Sequence, residues 1–156
     1  GGEQEHGLRA GTENVAGIVA LGCALEESVA DITEMRERLT NLVQITIKRL
    51  REAIPEIRIN GEGEMRLPGI VNVILPYASG EAVMHLLDMK GICISTSSAC
   101  NSGKDTPSHV LLALGLTEQQ AKSSIRISYG RYNTVDEVEK IVAAVSSAYS
   151  KIVTNH

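Results

Sequence analysis

Three side chains in this sequence carry groups that could do chemistry in settings that do not explain them away: Cys100, Arg126 and Thr12. Cys100 lies in Thr96-Ser97-Ser98-Ala99-Cys100-Asn101-Ser102-Gly103-Lys104-Asp105, small and polar throughout. Such a segment has no apolar face to bury, so it reads as a loop with an accessible thiol. A thiol with an ordinary pKa near ~8.5 is only slightly ionised at neutral pH, so access alone leaves nucleophile and inert surface cysteine both open. Arg126 sits in Ser124-Ile125-Arg126-Ile127-Ser128, whose alternation places the isoleucines on one face and the polar residues on the other. A guanidinium among hydroxyls suits a carboxylate, held through two parallel charge-assisted bonds, although a solvated arginine on an open sheet would look the same. Thr12 follows Gly11 where a helix begins; amides and a hydroxyl there could hold a phosphate, or Thr12 could simply cap the helix.

Other candidates are weaker. Glu5 and His6 are adjacent loop residues, an arrangement that rarely makes acid–base partners, and His85 and His109 fall in helical stretches beside apolar neighbours. No histidine pair has metal-ligand spacing, so no metal site is expected. Cys23 and Cys93 have apolar neighbours and read as core packing.

The elements that must position these groups follow from periodicity. Val15, Ile18, Val19, Leu25, Val29 and Ile32, continued by Met35, Leu39, Leu42, Val43, Thr46 and Leu50, keep helical spacing up to Ile54, where Pro55 ends it. One long helix, bent or interrupted near 30–33, is expected over residues 15–54. Strands are expected at 56–60 (ending at the turn signal Asn60-Gly61), 70–75, 92–95 and 124–128. Between them, Ser79 caps a helix over 80–90 closed by Gly91, and Thr106-Pro107 opens another over 108–114. Thr117 with Gln120 and Thr134 with Glu137 make capping boxes, the second opening a terminal helix with Val135, Val138, Ile141, Val142 and Val145 on one face. The order predicts an α/β chain of the α+β type, a small, mostly antiparallel sheet with helices on one face.

Composition narrows the function classes. The 156 residues are 43% hydrophobic and 22% charged, with a formal net charge of −4 and neither Trp nor Phe. This is a globular balance with no basic surface for nucleic acid or an anionic membrane. No apolar run approaches the ~20 residues of a membrane span. The odd count of 3 cysteines argues against a disulfide framework and fits a reducing cytoplasm. The opening Gly1-Gly2-Glu3-Gln4 has no initiator Met and no leader pattern, and reads as a cut through a longer protein.

Four segments in order resemble group I cysteine desulfurases of the class V aminotransferase family. They are Gly7-Leu8-Arg9-Ala10-Gly11-Thr12-Glu13-Asn14-Val15, Ser98-Ala99-Cys100, Ser108-His109-Val110-Leu111-Leu112-Ala113-Leu114-Gly115-Leu116 and Ser123-Ser124-Ile125-Arg126-Ile127-Ser128-Tyr129-Gly130-Arg131. The resemblance implies the C-terminal small domain of a fold-type I pyridoxal-phosphate enzyme over residues 55–156. It makes residues 15–54 the linking helix and 1–14 a remnant of the large cofactor-binding domain. It implies conversion of L-cysteine to L-alanine, with the sulfur carried as a persulfide on Cys100. Arg126 would grip the substrate carboxylate, and Thr12 would reach the cofactor phosphate in the neighbouring subunit of a homodimer. The sulfur would go to an acceptor protein, such as an iron–sulfur scaffold or a tRNA thiolation enzyme. The number of residues between Cys100 and Ser108 resembles the longer cysteine loop of group I.

Two departures appear: Ser97 and Glu3 stand where the family commonly has glycine. The family's Schiff-base lysine follows a histidine in the large domain. Lys48, Lys90 and Lys104 follow Ile47, Met89 and Gly103, so the lysine is expected upstream of residue 1, and the chain is expected to be inactive alone. A selenocysteine lyase shares fold and chemistry, and a cofactor-free persulfide relay or scaffold is an alternative of another class.

Overall fold

The computed structural model describes residues 2–63, 65–96 and 106–154. The chain forms two compact units, residues 1–35 and 36–156, and the division falls inside the helical stretch rather than at either end of it.

In the first unit a 3-10 turn at Glu5–Gly7 precedes α1, Val15–Ala30. Asn14 caps this helix, its side chain accepting from the Gly17 amide at 3.1 Å. Thr12 is therefore not the cap; an asparagine two residues on takes that role, as its short amide side chain favours. The helix buries no side chain. Val15, Ile18, Val19, Leu21, Leu25 and Val29 are all between 56% and 67% exposed. Cys23, expected in a core, is exposed for the same reason. The helical stretch is interrupted at Asp31, which leaves helical geometry at φ −120° while its carbonyl accepts from Met35 to start α2, Ile32–Ala53.

In the second unit α2 turns Leu42, Val43, Thr46 and Leu50 inward. It stops before Pro55, which disfavours helical geometry in the residue ahead of it. Three strands follow the expected positions: β1 (Arg58–Ile59), β2 (Ile70–Ile74) and β3 (Ser124–Ser128), in the order β1-β2-β3 with both pairings antiparallel. Register places Ile59 opposite Val73, Val73 opposite Ile125 and Val71 opposite Ile127, so these apolar residues share one sheet face. They form one core with Leu42 and Leu50 of α2, Val83 and Leu87 of α3 (Gly80–Asp88), and Val138, Val142 and Val145 of α6 (Val135–Thr154). The short helices α4 (His109–Ala113) and α5 (Glu118–Lys122) lie before β3 in sequence.

Ser79 caps α3, and Thr117 with Gln120 forms the reciprocal capping box of α5. Two expectations shift. The segment at 92–95 is not a strand but a single antiparallel bridge between Ser95 and Arg126. The Ile92 amide bonds back to the Leu87 carbonyl to close α3 through Gly91 (φ +72°), leaving only Ser95 to reach β3. Cys93, placed in that segment, is exposed rather than core. Helix α4 begins at His109, one residue later than expected, with Ser108 and not Thr106 as its cap, and His109 is exposed.

Candidate active site

Arg126 occupies the middle of β3, with Ile125 and Ile127 buried on either side and its own side chain exposed on the opposite face. Two backbone contacts fix the start and end of this strand. A Cβ on Gly80 would come within 2.6 Å of the Ser124 carbonyl oxygen and 2.9 Å of that of Lys122, so only glycine lets the start of α3 lie this close to β3. At the far end Gly69 (φ +83°) accepts from the Tyr129 amide at 2.7 Å, and a Cβ there would meet the Tyr129 carbonyl at 2.9 Å.

Across the sheet, Asn60, Asn72, Arg126 and Ser95 stand in one row. Asn72 pairs with Arg126, the Asn60 amide donates to the Asn72 carbonyl at 2.9 Å, and Ser95 and Arg126 exchange backbone bonds of 3.1 and 2.6 Å. Asn60 Nδ2 donates to Asn72 Oδ1 at 2.6 Å and to Ser124 Oγ at 3.5 Å, while the Ser124 hydroxyl donates to the Gln120 carbonyl at 2.7 Å. The guanidinium of Arg126 has no partner among the described residues. The sequence places Arg126 on this polar strand face as expected, whereas its neighbours Asn60 and Asn72 were not anticipated there; the only signal for them was polarity at those strand positions.

Beneath the sheet, Tyr129 is 7% exposed and its hydroxyl lies 2.7 Å from that of Thr46, which in turn donates to the Leu42 carbonyl at 2.7 Å. With the Thr46 proton so used, Tyr129 is the donor of the pair. Burial raises the Tyr129 pKa above its ordinary value. Glu137 is held below the usual carboxylate range by the Thr134 amide and the Asn133 side chain, the acidic half of the expected capping box.

In the first unit the segment before α1 runs through left-handed geometry at Glu5 (φ 55°), His6 (φ 54°) and Gly11 (φ +108°). The Gly11 amide is taken by the Gln4 side-chain oxygen at 3.1 Å. Arg9 donates to the Thr12 backbone carbonyl at 3.0 Å, and Thr12 is exposed. Cys100 lies outside the described residues. Thr12 and Arg126 belong to different units. His85 is exposed, 3.7 Å from Glu81. Among the described residues no cluster of His, Cys, Asp and Glu could hold a metal, and no helix is long and apolar enough to cross a membrane. A surface cleft lies between Tyr77–Ser79 and α5, and Arg126 does not line it.

The row on β3 and the capped loop before α1 fall within one family match: residues 2–141 match the aminotransferase class-V model. The chain belongs to the aminotransferase class-V family. Among relatives of this family, a cysteine desulfurase IscS of Methanosarcina thermophila is 43% identical over 152 residues, 97% of this chain and 37% of its own length. A cysteine desulfurase IscS of Clostridium botulinum is 44% identical over 144 residues, 91% of this chain and 36% of its own length. The crystal structure of a NifS-like protein from Rickettsia africae superposes with a TM-score of 0.82 at 33% identity, covering 96% of this chain and 39% of that one. The chain thus spans little more than a third of the length of these class V relatives, and its small antiparallel sheet with helices is a part of their fold.

Proposed function

We propose that the protein containing these residues is a pyridoxal-phosphate-dependent cysteine desulfurase, a cytoplasmic homodimer that converts L-cysteine to L-alanine and passes the sulfur to an acceptor protein. The observation that carries this reading is 43% identity to a cysteine desulfurase over 97% of the chain. The exposed guanidinium of Arg126, without a partner among the described residues, supports it, because a carboxylate is the ligand such a group binds in bidentate geometry.

In this reading Arg126 binds and orients the α-carboxylate of L-cysteine. The thiolate of Cys100 attacks the substrate sulfur: a sulfur–sulfur bond forms, the carbon–sulfur bond breaks, and the electron pair left on carbon is finally protonated as the methyl group of alanine. Cys100 then holds the sulfur as a persulfide. Pyridoxal phosphate, when bound, supplies the electron sink that makes that carbon a tolerable leaving group. The residues present fit its phosphate end. The exposed Thr12 hydroxyl, with the Arg9 guanidinium 3.0 Å from the Thr12 carbonyl, is a donor and a cation suited to an anion. The Schiff-base lysine belongs, on this reading, to the rest of the protein, so residues 1–156 alone release no alanine.

The test is the full-length protein loaded with pyridoxal phosphate and given L-cysteine. Alanine and a protein persulfide are expected in equal amounts. Cys100→Ser should keep the cofactor's absorbance and form no persulfide. Undiminished sulfur transfer by that variant would overturn the role of Cys100, and absence of alanine from the unmodified enzyme would overturn the reading as a whole.

A further inference from the structure

We infer that Asn72 makes a second contact to the substrate carboxylate beside Arg126, and that Asn60 is the positioning residue that turns the Asn72 amide the right way round. This rests on the reading that Arg126 grips the α-carboxylate of L-cysteine.

The argument is a count of protons. A serine hydroxyl has one proton, and that of Ser124 goes to the Gln120 carbonyl at 2.7 Å. Toward Asn60 the Ser124 oxygen can therefore only accept, so Asn60 must present its NH2 group to it, at 3.5 Å. The same NH2 group lies 2.6 Å from the Asn72 side chain, which must answer with its oxygen. Both amides are oriented accordingly in the structure, and the bonds run one way from Asn60 to its neighbours.

The consequence falls on the other end of the Asn72 amide. Asn72 sits on the central strand, with Asn60 on its β1 side and Arg126 on its β3 side. Its oxygen is held by Asn60, so Nδ2 is the end left for Arg126's side of the row. Arg126 spends its backbone bonds on Ser95, which makes Asn72–Arg126 a non-hydrogen-bonded pair, the kind whose side chains stand closer, with Cβ atoms ~4.5–5.5 Å apart. Two groups that can only donate are thus neighbours on an open face. They cannot satisfy one another, and neither has an acceptor among the described residues. A planar anion with two oxygens satisfies both at once: the guanidinium takes it from one side and the Asn72 amide takes a remaining lone pair.

The experiment uses the full-length enzyme loaded with pyridoxal phosphate, L-cysteine, and L-cysteinamide, which keeps thiol and amine but has no carboxylate. Asn72→Asp is the decisive variant, because it preserves shape and the oxygen that Asn60 needs while replacing the outward donor by a charged acceptor. It should raise KM for L-cysteine about tenfold or more, from a lost charge-assisted bond, with kcat and the turnover of L-cysteinamide little changed. Asn60→Ala, which frees the Asn72 amide to turn, should raise KM in the same direction by about threefold. If Asn72→Asp handles both substrates as the unmodified enzyme does while Arg126→Ala loses L-cysteine, the inference falls and the desulfurase reading stands. An equal loss on both substrates, accompanied by a lower melting temperature, makes the asparagines a purely structural pair and also overturns it. If the unmodified enzyme releases no alanine from L-cysteine, the underlying reading has failed before any substitution is compared.

Discussion

Arg126 has strand backbone bonded on both sides and a side chain with nothing to bond among the described residues. Its removal should therefore leave the sheet in place and, on the proposed reading, take away a contact to the substrate carboxylate. Arg126→Ala should raise KM for L-cysteine by the loss of about 2 kcal/mol or more, and Arg126→Lys should recover only part, since an ammonium cannot make the paired bonds of a guanidinium. Steady-state kinetics on L-cysteine would show this; an unchanged KM would remove Arg126 from the site. The alternation of Ser124 to Ser128 was enough to find this residue, because side-chain direction in a strand is a local property. Asn60 and Asn72 were not legible in the same way. Their partnership depends on the register between β1 and β2, which residues twelve positions apart do not reveal. The turn signal of Asn60-Gly61 also gave the asparagine a sufficient explanation of its own. Cys23 and Cys93 show the converse, since apolar neighbours in sequence did not become apolar neighbours in space.

At the scale of elements, the approach of α3 to β3 depends on the missing side chain of Gly80, where a Cβ would press on two carbonyl oxygens. Gly80→Ala should cost roughly 1–3 kcal/mol, as overpacking does, and lower the thermal midpoint of the protein. Tyr129→Phe should cost about 1 kcal/mol, because the Thr46 oxygen loses its donor. The pH dependence has a definite sign. Burial raises the Tyr129 pKa in the folded state above 10.0. Its contribution is whole below pH 10, where folded and unfolded chains both keep the proton, and is lost as pH rises through the folded value. Tyr129→Phe should flatten that alkaline decline in denaturation curves taken across the range, and an unaltered slope would count against it. Helix starts were readable where a side chain does the capping, as at Ser79 and Thr117. The strand expected at 92–95 was not, because the closing turn of α3 consumes its first amide and tertiary geometry outweighs β propensity.

For the whole molecule, the two units differ in kind. Residues 36–156 enclose a core shared by α2, α3, α6 and the sheet, whereas α1 has no buried side chain. The 156-residue chain produced by itself should therefore bind a hydrophobic dye such as ANS through α1. Leu25→Glu combined with Val29→Glu should reduce that fluorescence without lowering the melting temperature; equal dye binding by the variant would place the apolar surface elsewhere. Periodicity did reveal a helix over these residues. It could not say what the apolar positions face, since spacing records an apolar stripe and not its partner.

The row across the sheet has one more property. Asn60, Asn72, Ser124, Arg126 and the Gln120 carbonyl include no group that gains or loses a proton between mild acid and mild alkali. A grip built only from amides, a hydroxyl and a permanently charged guanidinium is blind to acidity. On the proposed reading, carboxylate recognition should then contribute a flat baseline to the pH–rate profile, whose slopes come from groups elsewhere, the thiols, the substrate amine and the cofactor site among them.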